Sequence, residues 1–346
     1  LKALARAAKG AGVGLTIDAE EADRLEPTLD LFQALAVDPG LTDWDGLGLA
    51  VQAYQRRALD VCRWLIDLGG RTERRLMVRL VKGAYWDTEI KRAQERGLDS
   101  FPVFTRKAAT AVSYLACAAQ LLGAREAIYP GFATHNAHTV AAVMELAAGR
   151  DDYEFQRLHG MGEEFYDLLI ASDLPVRCRI YAPVGSHEAL LPYLMRRLLE
   201  NGANTSFVNR LAHQDMPVDR VVADPIHRIE SLGKAPHPKI RPSAELFEPE
   251  RRNSRGVDLA DPNTVSALKD TLQSESRQQW TAFALVGGQQ SGGVAQPVRD
   301  PANRRNVIGS VRPASAEDAA RAFGLARDAF PDWSRGDPAA RGAMLE

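Results

Sequence analysis

The chain has 346 residues, of which 45% are hydrophobic and 25% charged, a composition typical of a globular protein. Its formal net charge is −2, so it lacks the basic excess of a protein that binds nucleic acid. No apolar run approaches the roughly 20 residues that cross a bilayer. Cys62, Cys117 and Cys178 match no zinc or redox spacing, which predicts buried thiols, a reduced cytoplasmic setting and no metal centre. Helical patterns at both ends suggest a piece of a longer polypeptide.

Six short apolar runs alternate with longer helical patterns over the first two thirds of the chain. This alternation favours a parallel sheet with helices outside it. We expect an α/β fold, a (βα)8 barrel whose first two strands would precede residue 1. A doubly wound sheet is the alternative, although no Gly-x-Gly-x-x-Gly turn follows an early strand. The runs span 15–18, 47–54, 76–86, 129–136, 153–160 and 178–185, and the clearest helical patterns span 1–9, 54–68, 106–122 and 139–148.

Polar residues lie within or near the end of each apolar run. In a (βα)8 barrel the carboxyl ends of the strands are where functional sites are built. We therefore expect these side chains to meet at one rim of the sheet. They are Asp18, Gln52, Arg79, Lys82, Thr134, His135, Asn136, Gln156, His159 and Tyr181.

The last apolar run leads into a helix that carries two adjacent arginines, Arg196 and Arg197. Apolar residues between 190 and 199 recur at helical spacing and predict a buried face, from which both arginines are excluded. Two neighbouring guanidiniums beyond a strand end could hold a small carboxylate. The alternative is a solvated helix face.

Two further basic segments are candidates for binding a cofactor. Arg79 could donate to a flavin ring or a phosphate, and Gly83 would permit close backbone approach; a structural ion pair is the alternative. Thr105, Arg106 and Lys107 open a helix, which suits either a pyrophosphate or a solvated basic turn. No carboxylate accompanies the histidines at a spacing typical of a metal site.

The character of the sequence changes after residue 209. Seven prolines between 213 and 262 predict an irregular connector with a short helix near 226–232. A stretch rich in Gly and Gln at 287–296 predicts a turn or loop. A strand at 307–311 and a helix at 316–330 follow.

Several separated strings resemble the proline dehydrogenase domain of the proline utilization A family, which are bifunctional bacterial enzymes. The resemblance covers roughly residues 10–240, and the strings occur in the family's order. They are IDAEEADRLE (17–26), QAYQRR (52–57), RLVKGAYWDTEIKRAQ (79–94), FATHNAHT (132–139), YEFQRLHGMG (153–162) and RIYAPVGSHEALLPYLMRRLLENGANTSFVNR (179–210).

The resemblance implies a flavin-dependent barrel that oxidises L-proline to pyrroline-5-carboxylate. It implies that Arg196 and Arg197 clamp the proline carboxylate, that Tyr181 packs against the proline ring, and that Asp18 and Leu158 belong to the same pocket. It also implies a set of FAD contacts. These are Gln52, Arg79, Val81, Gly83, Trp86, Thr105, Arg106, Lys107, Thr134, His135, Asn136, Gln156, Glu200, Thr205, Ser206 and Phe207.

The tail at 300–333 resembles the start of the family's second enzyme, an NAD-dependent aldehyde dehydrogenase. The resemblance thus divides the chain into a partial flavin barrel (1–212), a connector (213–275) and the start of the aldehyde dehydrogenase domain (276–346). The family's substrate lysine lies on a strand upstream of residue 18, and the aldehyde dehydrogenase catalytic Cys and most of its NAD site lie beyond residue 346.

The resemblance further implies a quinone acceptor at the membrane and a cytoplasmic location, peripheral to the bacterial inner membrane. The oligomeric state stays open, a homo-oligomer included. Two alternatives are another flavin-dependent barrel oxidoreductase acting on a small cyclic substrate, and a non-catalytic scaffold that retains the barrel without the cofactor.

Overall fold

The computed structural model describes residues 1–172, 174, 176–202, 223–233 and 236–344; for 198–202 it describes the backbone alone. The chain divides into two compact units, residues 1–260 and 261–346. Each unit is described by itself.

The first unit contains a curled, six-stranded parallel sheet, a half-barrel in which the strands follow chain order. Neighbouring strands pair in continuous register, so that Ala50 lies beside Arg79 and Arg79 beside Gly131. Each predicted apolar run contains one strand, and the carboxyl part of each run forms a loop. The strands are β1 (Leu15–Ile17), β2 (Leu47–Gln52), β3 (Leu76–Val81), β4 (Ile128–Ala133), β5 (Glu154–Leu158) and β6 (Cys178–Tyr181).

Helices connect the strands of this sheet, as the alternation predicted. The hydrogen bond from the backbone N–H of Thr139 to Asn136 Oδ1 (2.9 Å) caps one of them, α6, directly after β4. The helices are α1 (Lys2–Gly10), α2 (Leu25–Ala36), α3 (Ala58–Thr72), α4 (Trp86–Glu95), α5 (Lys107–Gly123), α6 (Ala137–Ala147), α7 (Glu163–Ile170) and α8 (His187–Gly202).

The two faces of the sheet differ because side chains alternate along a strand. On β3, Leu76, Val78 and Leu80 are at most 1% exposed and pack in the core that the sheet shares with the helices. The intervening Met77 and Arg79 are half-buried and face the other side, which we call the inner face. The hydrophobic core therefore lies outside the sheet, and the inner face is available for a functional site.

The prediction of a buried apolar stripe on α8 is wrong for three of its members. Leu191, Leu194 and Met195 are 45–49% exposed, so this side of α8 is not packed into the core of the described residues. Leu190 is half-buried, and the side chains of the remaining two leucines of the stripe lie outside the described residues.

Within the described part of the predicted connector, a short helix, α9 (Pro225–Glu230), lies at the expected position. The part that follows, residues 236–256, is called the connector segment. Within it, the Ser243 hydroxyl donates to the Gln94 carbonyl (3.0 Å), and Gly256 N–H donates to the Gly97 carbonyl (2.9 Å). These bonds hold the connector segment against α4 and the turn after it.

The second unit contains a four-stranded sheet in the order β8-β7-β10-β9. The stretch 287–296, predicted as a turn or loop, has a turn at Gly287 and Gly288, but it also contains a strand, because this turn lets β8 fold back antiparallel on β7. The strands are β7 (Trp280–Val286), β8 (Gln289–Ser291), β9 (Gln296–Arg299) and β10 (Val307–Arg312), and the helices are α10 (Pro262–Glu275), α11 (Ala316–Arg335) and α12 (Pro338–Ala343).

Candidate functional site

Four of the polar residues predicted near the strand ends, Asp18, Arg79, Gln156 and Tyr181, lie together on the inner face of the first unit. Two others do not join them: Lys82 Nζ donates to Thr139 Oγ1 of α6 (3.2 Å), and His159 is exposed.

Arg79 is at the centre of these four residues: its Nε donates to Gln156 Oε1 (2.7 Å), and its Nη1 lies 3.2 Å from Asp18 Oδ1. The strand between Arg79 and Gln156 carries Gly131 at this level, beside Arg79. A Cβ at position 131 would lie 2.7 Å from Gln156 Nε2, so the glycine leaves room for this bond above β4.

Tyr181 ends β6 next to this cluster. The guanidinium carbon of Arg79 lies 5.5 Å from the centre of the Tyr181 ring, which is cation–π distance. Burial and the neighbouring Tyr193 raise the pKa of Tyr181 to about 12, although Arg197 and Arg79 oppose the shift. The phenol therefore stays protonated at neutral pH.

Both arginines of α8 are half-buried beside aromatic rings. The guanidinium of Arg196 lies 5.2 Å from the ring centre of Tyr85, which precedes α4, and that of Arg197 lies 5.3 Å from Tyr193. Within the described ranges, Arg196 Nε is buried and has no hydrogen-bond acceptor. Arg197 also acts on His135 and Tyr181, whose pKa values it lowers. The two arginines thus lie near the strand ends, and Arg196 Nε is a donor suited to an anion.

The loop after β4 contributes the predicted Thr134, His135 and Asn136. Thr134 Oγ1 accepts from the Asn136 N–H (3.2 Å), and His135 Nε2 accepts from the backbone N–H of Leu158 (3.3 Å). Burial, with the positive charges of Arg197 and Arg157, lowers the pKa of His135 to about 4. The imidazole is therefore neutral at physiological pH and ties the loop to the end of β5.

Gln52 and Gly83 shape the segment between β3 and α4. The Gln52 side chain is buried; its amide donates to the Glu20 carbonyl (2.7 Å), and its Oε1 accepts from the Ala84 N–H (3.4 Å). Gly83 has φ of +132°, and a Cβ there would lie 2.4 Å from the Tyr54 ring. The close packing of the Tyr54 ring therefore requires glycine at position 83, which the sequence did not suggest.

The remaining two residues predicted in this segment lie beside the same loop. Val81 ends β3 and is half-buried, and the Trp86 Nε1–H donates to the Phe104 carbonyl (2.7 Å). Alternation along β3 puts Val81 on the inner face, whereas Trp86 packs with the hydrophobic cluster of Tyr54, Ile90 and Val103.

The basic start of α5 is engaged by the connector segment. Thr105 Oγ1 accepts from the His237 N–H (3.0 Å), and Arg106 donates two hydrogen bonds to the Pro236 carbonyl (2.8 and 3.2 Å). Lys107 is exposed as the first residue of α5. The structure thus gives Thr105 and Arg106 protein partners more than 100 residues away.

Four of the predicted FAD contacts cannot be placed. The Glu200 side chain, Thr205, Ser206 and Phe207 lie outside the described residues. Their assignment stays a prediction.

Tyr85 and Tyr193 contact the arginine pair and were missed in the sequence. Tyr193 is four residues before Arg197 on the same helix, a spacing that brings side chains together. That signal was available. Tyr85 could not be paired with Arg196 from spacing, because α8 begins about 100 residues later.

Together, these residues form a rim of cations, phenols and small apolar surfaces above a parallel sheet. Such a rim can orient a small anion against a flat ligand. Within the described ranges, no group of three His, Cys, Asp or Glu side chains could hold a metal ion. None of the helices in those ranges has both the length and the apolar character needed to span a bilayer. The fold is that of a parallel α/β half-barrel, and the rim at the carboxyl ends of its strands is a candidate anion-binding site.

Comparison with known proteins identifies the family. The family model for proline dehydrogenase matches residues 1–210. The chain is 49% identical over 359 aligned residues to the bifunctional protein PutA of Klebsiella aerogenes, covering 100% of this chain and 27% of that protein. The chain belongs to the proline dehydrogenase family, and it spans about a quarter of the length of its bifunctional relatives from Klebsiella aerogenes and Escherichia coli.

Solved structures agree with this placement. A mutant of proline utilization A from Bradyrhizobium japonicum superposes with a TM-score of 0.80 at 47% identity, over 97% of this chain and 31% of that one. Proline utilization A from Bdellovibrio bacteriovorus, inactivated by N-propargylglycine, superposes with a TM-score of 0.81 at 28% identity. This match covers 97% of this chain and 35% of that one.

Proposed function

We propose that the protein oxidises L-proline to pyrroline-5-carboxylate, with FAD as its bound cofactor. The observation that carries the proposal is the arginine pair of α8, half-buried beside Tyr85 and Tyr193 near the strand ends, in a chain of the proline dehydrogenase family.

The arginine pair suits the carboxylate of an amino acid. Guanidiniums bind carboxylates through two parallel hydrogen bonds, which fix orientation as well as affinity. The buried Nε of Arg196, without an acceptor among the described residues, gains one when a carboxylate enters. A clamp of this kind holds the substrate by the end that does not react.

The residues beside the arginine pair fit a flavin. Val81 is half-buried two residues after Arg79 on the same face of β3, and Arg79 supplies a positive charge there. Trp86 and the buried Leu158 would line the flavin from the neighbouring segments. When bound, FAD accepts the hydride from the ring carbon beside the proline nitrogen. Arg79 would lie near the reactive part of the flavin, where a positive charge favours the reduced form.

Tyr181 and Asp18 complete the proposed substrate pocket. The protonated Tyr181 ring packs against the proline ring, and its position is fixed by the guanidinium of Arg79. Asp18 neutralises part of the Arg79 charge through their ion pair and so limits the attraction of other anions to the flavin position.

The other proposed FAD contacts come from the β4 and α5 regions. Thr134, His135 and Asn136 form an ordered turn that would hold the cofactor beside β5, and Gln156 and Gln52 would lie beneath it. Lys107 would contact the phosphates, together with Thr105 and Arg106. Glu200, Thr205, Ser206 and Phe207 are proposed from the family resemblance alone.

A wider role follows from the alignment with bifunctional relatives over the whole chain. We propose that residues 276–346 begin an NAD-dependent aldehyde dehydrogenase domain. Before it, residues 213–275 would be a connector and residues 1–212 a flavin half-barrel, which would be part of a closed (βα)8 barrel. The proposed acceptor is a membrane quinone, the proposed location the cytoplasm at the inner membrane, and the proposed assembly a homo-oligomer.

The test is whether the purified protein carries flavin that proline reduces. We expect a yellow protein whose flavin spectrum bleaches when L-proline is added without oxygen, and a dye acceptor reduced in proportion to bound flavin. Bound flavin that L-proline leaves oxidised would favour another flavin-dependent barrel oxidoreductase. A protein without flavin would favour a non-catalytic scaffold.

A further inference from the structure

The inner face holds a buried carboxylate that the proposed chemistry does not use. Glu154 begins β5, two residues before Gln156, and is 4% exposed. Alternation along the strand puts both side chains on the same face. Burying a carboxylate is costly unless hydrogen bonds replace its hydration, so its partners indicate what it does.

Glu154 has three partners on three strands. The guanidinium of Arg179 on β6 donates Nε to Oε1 and Nη2 to Oε2, both at 2.7 Å. The Gln156 amide donates Nε2 to Oε1 (2.7 Å), and the Tyr129 hydroxyl on β4 donates to Oε2 (3.4 Å). The two-bond pair with Arg179 fixes the plane of the carboxylate.

The bond from Gln156 determines which way its amide points. An amide has a donating and an accepting end. Because the carboxylate of Glu154 only accepts, the NH2 group of Gln156 faces it, and Oε1 must face the opposite side. There Oε1 accepts from Arg79 Nε (2.7 Å). The flipped amide would set oxygen against carboxylate and NH2 against guanidinium, so both contacts would be repulsive.

The bonds of Glu154 are part of a longer chain of contacts on the inner face. It runs from Arg179 through Glu154, Gln156 and Arg79 to Asp18, and so crosses the sheet from β6 to the end of β1. It passes above Gly131, where a Cβ would approach Gln156 Nε2 to 2.7 Å. A side chain at position 131 would therefore displace the amide.

We propose that Glu154 is a positioning residue that orients the guanidinium of Arg79 in the site through the Gln156 amide. This rests on the proposed function, because Arg79 is taken to face the flavin. Glu154 itself contacts neither substrate nor cofactor. It acts by giving Gln156 a single amide orientation, which in turn directs Arg79.

The test compares E154Q with wild type as flavin-bound protein. In E154Q the residue at 154 can donate as well as accept, so the direction of the Gln156 amide is fixed from the Arg79 side alone. We expect the flavin reduction potential in the absence of proline to differ from that of wild type, because Arg79 is held less firmly and a carboxylate charge is lost from the inner face. We also expect turnover to fall by about tenfold to a hundredfold, the scale of a misplaced group.

A matched control is E163Q. Glu163 pairs with Arg157, also a β5 residue, but from the helix side of the sheet (3.3 Å). E163Q removes a glutamate charge beside the same strand without touching the inner face. Its potential and turnover should equal those of wild type.

A second variant, G131A, perturbs the same amide without changing any charge. It should make the potential more negative, because Arg79 is displaced while no charge is removed, and it tests the proposal even if E154Q does not fold. If both variants lower only the melting temperature and leave the potential at the wild-type value, Glu154 is structural and the positioning role is refuted. Failure of the proposed function is separate: wild-type protein would then lack flavin that proline reduces.

Discussion

At the scale of single residues, the groups that contact each arginine decide which ligand it can bind. Arg79 is held by Gln156 and Asp18 and lies beside the Tyr181 ring, whereas Arg196 Nε is buried without an acceptor among the described residues. A buried donor without an acceptor is available to an anionic ligand. We therefore assign the carboxylate to the α8 pair and the flavin to the side of Arg79.

Arg197→Met should weaken proline binding without releasing flavin. Loss of one charged hydrogen-bonding partner corresponds to about 10- to 100-fold in the Michaelis constant for proline. Steady-state kinetics on protein of measured flavin content gives both quantities.

The control for that substitution is Arg63→Met, which removes an exposed arginine of α3 paired with Asp60. It should change neither quantity. A parallel loss of flavin and of proline binding in Arg197→Met would contradict the assigned role.

The low pKa of His135 predicts a stability that depends on pH. The unfolded chain takes up a proton near pH 6.5, whereas the folded chain resists it until about pH 4. Between these values the unfolded state binds more protons, so the free energy of unfolding falls as the pH falls. Well above pH 6.5 the His135 imidazole is neutral in both states, so none of the free energy of unfolding is lost through its protonation.

His135→Gln removes the titration and keeps an acceptor for the Leu158 N–H. Urea unfolding of flavin-free protein should therefore show a shallower pH dependence for the variant than for wild type between about pH 6.5 and pH 5. Measurement near pH 7 corrects for effects that do not involve the proton. Equal slopes would mean that His135 is not the group that titrates.

At the scale of elements, alternation was the strongest signal in the sequence. It predicted all six strands of the first unit, because outward residues such as Val78 and Phe155 must be apolar to pack on the helices. The predicted apolar runs extended beyond the ends of the strands. Tyr85 and Trp86, for example, are apolar, but they belong to the loop before α4 and to the first turn of α4.

Contacts between distant elements were beyond the reach of sequence patterns. Periodicity identified the apolar stripe of α8 but could not reveal that Leu191 and Leu194 are not packed into the core of the described residues. Likewise, Thr105 and Arg106 looked available to a ligand because the residues that contact them, His237 and Pro236, lie more than 100 positions away.

Gly256→Ala should release the connector segment from α4. A Cβ at position 256 would lie 1.7 Å from the Arg96 carbonyl oxygen, a contact that only backbone movement can relieve. We expect faster tryptic cleavage at Arg251 and Arg252, which are exposed. Limited proteolysis followed by mass spectrometry locates the cuts.

The control is Gly10→Ala in α1, where a Cβ would meet nothing within 4 Å. It should leave the cleavage rate unchanged. If Gly256→Ala is cut no faster than wild type, the connector segment does not depend on that close contact.

At the scale of the molecule, the first unit is a half-barrel with its core on one face and its polar network on the other. Family membership and the strand order were predictable, because the matching strings carry both the strands and their polar ends. The orientation network through Glu154 was not, because it joins side chains on four strands that no local spacing relates.

The most direct measurement is anaerobic bleaching of the bound flavin by L-proline and by pyrrolidine, which has the same ring but no carboxylate. The account predicts that L-proline reduces the flavin of the wild-type protein far faster than pyrrolidine does. It also predicts that Arg197→Met removes most of that difference by slowing proline alone. Equal rates for the two compounds in the wild-type protein would contradict a carboxylate clamp at the arginine pair.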